Sequence, residues 1–126
     1  MSDHMHVVLD DTAMVAAGRG NVMASGLLHR AHEEATWHVY APACALVEAD
    51  RARPGTAEHI AALPGVVILD LDLPAALAVA RGDTWAAAHA QYAAEPTAER
   101  PNGAFVATAE PGRWAGQAVR VLDVNP

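Results

Sequence analysis

Lysine is absent from this chain of 126 residues: its eight basic residues are all arginine, and fifteen acidic residues give a net charge of −7. A protein that grips nucleic acid along a phosphate tract ordinarily carries a basic face. The balance argues against general nucleic-acid binding and leaves only a local arginine cluster to meet a polyanion. It fits either a dense acidic site or an ordinary solvated surface. Cysteine is nearly absent too: Cys44 stands alone, so no intrachain disulfide and no thiolate metal cluster can form. No run of about eighteen apolar residues exists to cross a membrane. The opening Met1-Ser2-Asp3-His4-Met5-His6 lacks the basic flank and apolar stretch of a signal peptide, so the expectation is a cytoplasmic protein without membrane contact. Also missing are a Gly-x-Ser-x-Gly elbow, a glycine-rich phosphate loop and a dinucleotide fingerprint.

What is present is globular. Apolar residues make up 52% and charged ones 18%, a composition that fits one domain with a substantial core. Residues 6–10 (His-Val-Val-Leu-Asp) form a short apolar run ending in acids and predict a buried parallel strand. Thr12 is placed to cap a short helix over 13–17, stopped by Gly18. Asn21 is placed to cap a longer one reaching about residue 35, with Val22, Met23, Leu27 and Leu28 on its apolar side. Strands are predicted over 37–41, 66–71, 104–108 and 119–124. Further helices are expected over 43–53, 56–63, 75–81 and from an Asp83 cap to about residue 94, and prolines and glycines separate most of them. Residues 95–103 read as a loop and Pro111-Gly112 as a turn. Two helices between successive strands point to a three-layer α-β-α domain around a mostly parallel sheet of about five strands. In such sheets the site lies at the carboxyl ends of the strands, where the strand order reverses.

The acids fall where that rule directs attention. Asp10 and Asp11 end the first strand, Glu48 lies six residues after Pro42 on the following helix, Asp83 precedes a later helix, and Glu110 follows the fourth strand. Carboxylate oxygens gathered in this way suit a hard cation such as Mg²⁺ or Mn²⁺, with room for water and a phosphate.

The arrangement resembles the PIN domain, the nuclease fold of VapC-type toxins and related RNA-processing enzymes, over nearly the whole chain. Val8-Leu9-Asp10-Asp11-Thr12-Ala13-Met14 is similar to the family's opening motif, which makes Asp10 the first metal-binding acid and Thr12 a supporting hydroxyl. Pro42-Ala43-Cys44-Ala45-Leu46-Val47-Glu48 matches the second motif and its central glutamate. Later the pattern shifts: the family's third aspartate aligns with Ala86, one turn after Asp83, and its Thr-x-Asp becomes Thr108-Ala109-Glu110. The resemblance implies a metal-dependent endoribonuclease in which Asp10, Asp83 and Glu110 hold Mg²⁺ or Mn²⁺. Glu48 positions or deprotonates the attacking water. It further implies RNA as substrate, a homodimer, and a small antitoxin partner for toxin members. The competing expectation is a non-catalytic binding or regulatory domain that keeps the scaffold while the acids have drifted. A receiver domain of two-component signalling is a more distant likeness, suggested by Asp10-Asp11 and by 67–74 (Val-Ile-Leu-Asp-Leu-Asp-Leu-Pro), but it needs a lysine that this chain lacks. His29 and His32, one helical turn apart, read as a solvated face, and His89 as half-buried against the sheet. Arg51 and Arg53 read either as phosphate contacts or as partners of nearby acids.

Overall fold

A computed structural model describes residues 4–126. Residues 1–3, on which the expectation of no signal peptide partly rests, lie outside the described residues. In chain order the elements are β1 (Met5–Leu9), α1 (Asp11–Gly18), α2 (Val22–Glu33), β2 (Trp37–Pro42), α3 (Ala43–Ala52), α4 (Thr56–Ala61), β3 (Val66–Leu69), α5 (Leu73–Ala80), α6 (Trp85–Ala94) and β4 (Phe105–Thr108). A 3₁₀ turn, Pro111–Trp114, and β5 (Arg120–Asp123) complete the order. The five strands form one sheet in the order β3-β2-β1-β4-β5, and every neighbouring pair is parallel.

The central strand explains the three layers. Val7, Val8 and Leu9 have no exposed surface, and successive side chains of a strand point to opposite faces. Val7 and Leu9 join a core with Met14, Leu27, Leu28, Leu46 and Ile60 from α1 to α4. Val8 joins Tyr40, Val106, Trp114 and the alanines of α6 on the other face. Each fully buried Val or Leu contributes roughly 1.5–3 kcal/mol. The small Ala90, Ala93 and Ala94 let α6 lie close against the strands.

The helix ends show where local chemistry differs from expectation. Asn21 caps α2 as its sequence suggests, its Oδ1 accepting from Ala24 N at 2.8 Å. Its Nδ2 also donates to Val124 O, tying that end to the tail of β5. The cap of α1 is Asp10, not Thr12, and α6 starts behind Thr84, not Asp83, with no side-chain cap. Val22 and Met23 face solvent instead of the core. Ala24, Leu27 and Leu28 set the buried face of α2, and the first turn is rotated outward from it. Pro111-Gly112 opens a full 3₁₀ turn that carries the chain from β4 across to β5. Among the described residues no helix is long and apolar enough to cross a membrane.

Candidate functional site

Reversal of strand order occurs between β1 and β4, since the sheet grows from β1 through β2 to β3 on one side and through β4 to β5 on the other. Ligand sites of open α/β sheets lie at this point, beyond the carboxyl ends of the strands. Here Asp10 and Thr108 terminate the two strands, and Asp10 N donates to Ala107 O at 3.1 Å.

A chain of hydroxyls closes the gap. Thr12 Oγ1 donates to Asp10 Oδ1 at 2.6 Å and accepts from Ala109 N at 2.9 Å. It lies 3.1 Å from Thr108 Oγ1. A hydroxyl has one proton, and that of Thr12 goes to a carboxylate that can only accept. Thr108 is therefore the donor to Thr12, while its own oxygen accepts from Glu110 N at 3.0 Å.

Asp10 itself is enclosed, with 0% of its surface exposed. Its Oδ1 takes the Thr12 hydroxyl and the Ala13 amide, the latter at 2.9 Å. Its Oδ2 takes the Trp114 indole N–H at 3.1 Å, with Arg113 Nη1 at 3.6 Å. Burying a carboxylate demands such a donor shell, and the shell leaves Asp10 facing protein on both oxygens.

Asp11, the next residue, faces the cavity. A cavity of about 320 Å³ is lined by Asp11, Glu48, Asp83, Thr84, Trp85, Ala86 and Arg113. Three acids separated in sequence thus reach one space: Asp11 from the start of α1, Glu48 from α3 and Asp83 from the turn before α6. Glu48 and Asp83 are exposed, and among the described residues neither makes a side-chain hydrogen bond or ion pair. Glu110 stands on the rim with 63% of its side chain exposed.

Arg113, which sequence reasoning did not single out, stands among these acids. Its guanidinium forks onto Asp11, Nη1 to Oδ1 at 2.5 Å and Nη2 to Oδ2 at 3.5 Å. Nη2 also approaches Glu110 Oε2 at 3.4 Å. Burial works to lower its pKa, but the hydrogen bond and charge of Asp11, followed by the charges of Asp10 and Glu110, outweigh this and hold it above its ordinary value. Its only sequence signal is its place three residues after Glu110, on the face-sharing spacing of a helical turn. Arg51 and Arg53 are not among the residues lining these acid-edge cavities. Two adjoining clefts flank Arg113, one lined by Arg81, Asp83 and Gln117, the other by Arg19, Asp11 and Asn125.

The donor set, carboxylate oxygens alone, fits the chemistry of a hard divalent cation, and the guanidinium stands in the acid cluster as a cation of the protein's own. In this arrangement, among the described residues, no three His, Cys, Asp or Glu side chains converge closely enough to hold a metal ion. Elsewhere, His29 and His32 are exposed as expected. His89 is fully enclosed at 1% exposure, deeper than expected, and its Nδ1 accepts from Cys44 N at 3.2 Å. Asp72 caps α5. Compared with known proteins, the chain matches no family model and no curated protein.

Proposed function

We propose that this edge is the active centre of a divalent-metal-dependent ribonuclease of the PIN type. The observation that carries the reading is that Asp11, Glu48 and Asp83, from three separate segments, line one cavity at the switch point of a parallel sheet. Among the described residues these side chains do not stand close enough together to hold a metal ion, so Mg²⁺ or Mn²⁺ would be held there only once they draw together. Bound there, the cation would lower the pKa of a coordinated water and offset charge on the phosphate in the transition state.

The remaining residues divide the work of binding and positioning. Glu48, exposed and without a side-chain partner among the described residues, would take a proton from the attacking water. Asp10 acts from behind, fixing the start of α1 and thereby the direction of Asp11. Glu110 holds Arg113 on the rim. Arg81 and Arg19, in the clefts on either side, offer two separated cations to a phosphodiester chain crossing the edge. This supports RNA as the substrate despite the overall negative charge. Trp85, exposed beside Glu48 and Asp83, offers a flat face on which a base can stack. The family likeness adds a homodimer and a small antitoxin as proposed partners.

The second reading, a non-catalytic domain, is favoured by the neutralising grip of Arg113 on the acids. One experiment separates the two. A structured RNA pool is incubated with Mn²⁺ and wild type, Glu48→Gln or Asp11→Asn. The nuclease reading expects products with 5′-phosphates and 3′-hydroxyls, and a rate lower by about 100-fold or more in both variants. Equal cleavage by all three proteins would assign the activity to a contaminant, and no cleavage by wild type would leave the binding domain.

A further inference from the structure

Three histidines lie one against another at the amino end of the sheet, at the opposite end of β1 from Asp10. His6 of β1 pairs in register with His38 of β2, so their side chains leave the sheet on the same face. It is the face of Val8 and Tyr40, on which the alanines of α6 pack. Cover thins toward the amino end: Val8 and Tyr40 are buried, His6 and His38 are half-buried, and His4 is exposed. The rings continue this face as a column. The centroids of His4 and His38 are 4.8 Å apart and those of His38 and His6 4.7 Å, with planes tilted by 9° and 16°. Tyr40 follows at 5.9 Å from His6, and the Arg100 guanidinium lies over the Tyr40 ring at 4.7 Å. Two polar contacts pin the column. His4 Nδ1 is 2.5 Å from His38 Nε2, and His6 Nδ1 is 2.8 Å from the Tyr40 hydroxyl.

A bond between two imidazoles needs one nitrogen that carries its proton and one that does not. It survives with both rings neutral or one charged, and is lost when both are charged. Further protons then place like charges a few ångströms apart. The titratable and charged groups facing the column are His4 and His6 from β1, His38 and Tyr40 from β2, and Arg100, a permanent cation, from the segment before β4. β3, beside β2, is wholly aliphatic. Among the described residues no carboxylate is one of the groups acting on His6 or His38. We propose that the column of His4, His38 and His6 is a proton-sensitive latch: it holds the amino end of β1 on β2 while the imidazoles are neutral, and releases it once more than one is charged. Val8 and Tyr40, under α6, keep the rest of the two strands paired, so the opening is confined to residues 4–7. The latch is independent of the nuclease reading. Burial first, then the charges of His38, Arg100 and His4, hold His6 below its ordinary 6.5, and burial followed by His4 does the same to His38. Groups lowered in this way stabilise while neutral. Their contribution is whole above about pH 6.5 and is lost as the pH falls through the folded values.

The test is amide hydrogen exchange, followed by NMR on the whole chain at about pH 7.5 and 5.0, with each rate divided by the intrinsic rate at that pH. Wild type is compared with His38→Phe, which keeps a ring in the column but cannot take a proton, and with His38→Gln. The amides of β4 report on the rest of the sheet. In wild type, protection at residues 5–7 is expected to fall about tenfold or more at the lower pH, while that of β4 changes by about threefold or less. In both variants the change at residues 5–7 is expected to shrink to about threefold or less. Unchanged protection at residues 5–7 in wild type overturns the latch. A fall of the wild-type size in His38→Phe also overturns it, because the titrating group would then lie elsewhere. An equal fall throughout the sheet overturns it as well, since protons would then act on the whole fold. Should His38→Phe not fold, His38→Gln decides by the same criteria.

Discussion

Asp10 shows how much a single enclosed carboxylate asks of its neighbours. Its four near contacts come from Thr12, Ala13, Trp114 and Arg113, and the last two lie about a hundred residues away in the chain. Trp114→Phe keeps an aromatic side chain but withdraws the indole N–H and the ring that carries it, so a buried anion loses one of its donors and the core some of its filling. That is expected to lower stability by about 1–3 kcal/mol in urea unfolding; a change under about 0.5 kcal/mol would show that Asp10 does not depend on the indole. His89 makes a second prediction, in pH. Burial lowers its pKa below the ordinary 6.5, against a smaller upward pull from the Asp72 charge and the Asp70 backbone. A histidine with a lowered folded pKa stabilises the fold while neutral. Its contribution is whole above about pH 6.5 and is lost as the pH falls through the folded value. Wild type should therefore lose more stability than His89→Gln between about pH 7.5 and 5.5. His6 and His38, lowered first by burial and then by neighbouring charges, titrate alike in both proteins and cancel in the comparison. A parallel fall in the two proteins would mean that His89 is not the group responsible. These roles were only partly legible in the sequence. Asp10 could be located from its strand, but its enclosure depends on a tryptophan that no local pattern links to it.

Elements were easier to read than their ends. The short apolar runs of the strands, the prolines and glycines between helices and the Asn21 cap all act within a few residues, and the elements formed near where those signals stood. The cap of α1 moved from Thr12 to Asp10 because Thr12 has a stronger claim elsewhere, joining β1 to β4 through Thr108 and Ala109. Asp83 gave up the cap of α6 and stands free at the cavity. The 3₁₀ helix was read only as a turn at Pro111-Gly112, since four residues hold no periodicity to detect. One junction carries a clear structural demand. Gly65 enters β3 with φ +87°, and a Cβ there would lie 2.3 Å from Ala31 O and 2.6 Å from Ala31 C. Both atoms are backbone and cannot turn aside. Gly65→Ala is expected to cost about 3 kcal/mol or more, measured by chemical unfolding; tolerance of alanine would mean that α2 can slide away from this turn.

At the scale of the molecule, the reading of a three-layer α/β domain followed from helices alternating with short apolar strands, and the sheet is parallel throughout. Alternation fixes the class; which strands become neighbours is decided by packing between distant segments, so Glu48 and Asp83 could be nominated for the edge, but not Asp11 in place of the enclosed Asp10, nor the arginine. The outer surface adds a prediction. Leu73 and Leu77 on α5 are 72% and 50% exposed, one helical turn apart and so on one side of the helix. If the proposed homodimer uses this side, light scattering should give a dimer mass for wild type and a monomer mass for the Leu73→Asp, Leu77→Asp double variant, with unchanged circular dichroism. A monomeric wild type would remove this dimer. The strand order also has a consequence for how the protein is born. β1 is made early, yet its partner β4 comes roughly a hundred residues later, some 5–20 s at ordinary rates of synthesis. Until β4 leaves the ribosome there is no edge, and Arg113 follows Glu110 out by only three residues. On the ribosome, Asp10 and Asp11 therefore wait about a hundred residues for the cation that neutralises them, which arrives together with Glu110 and with the strand that completes the edge.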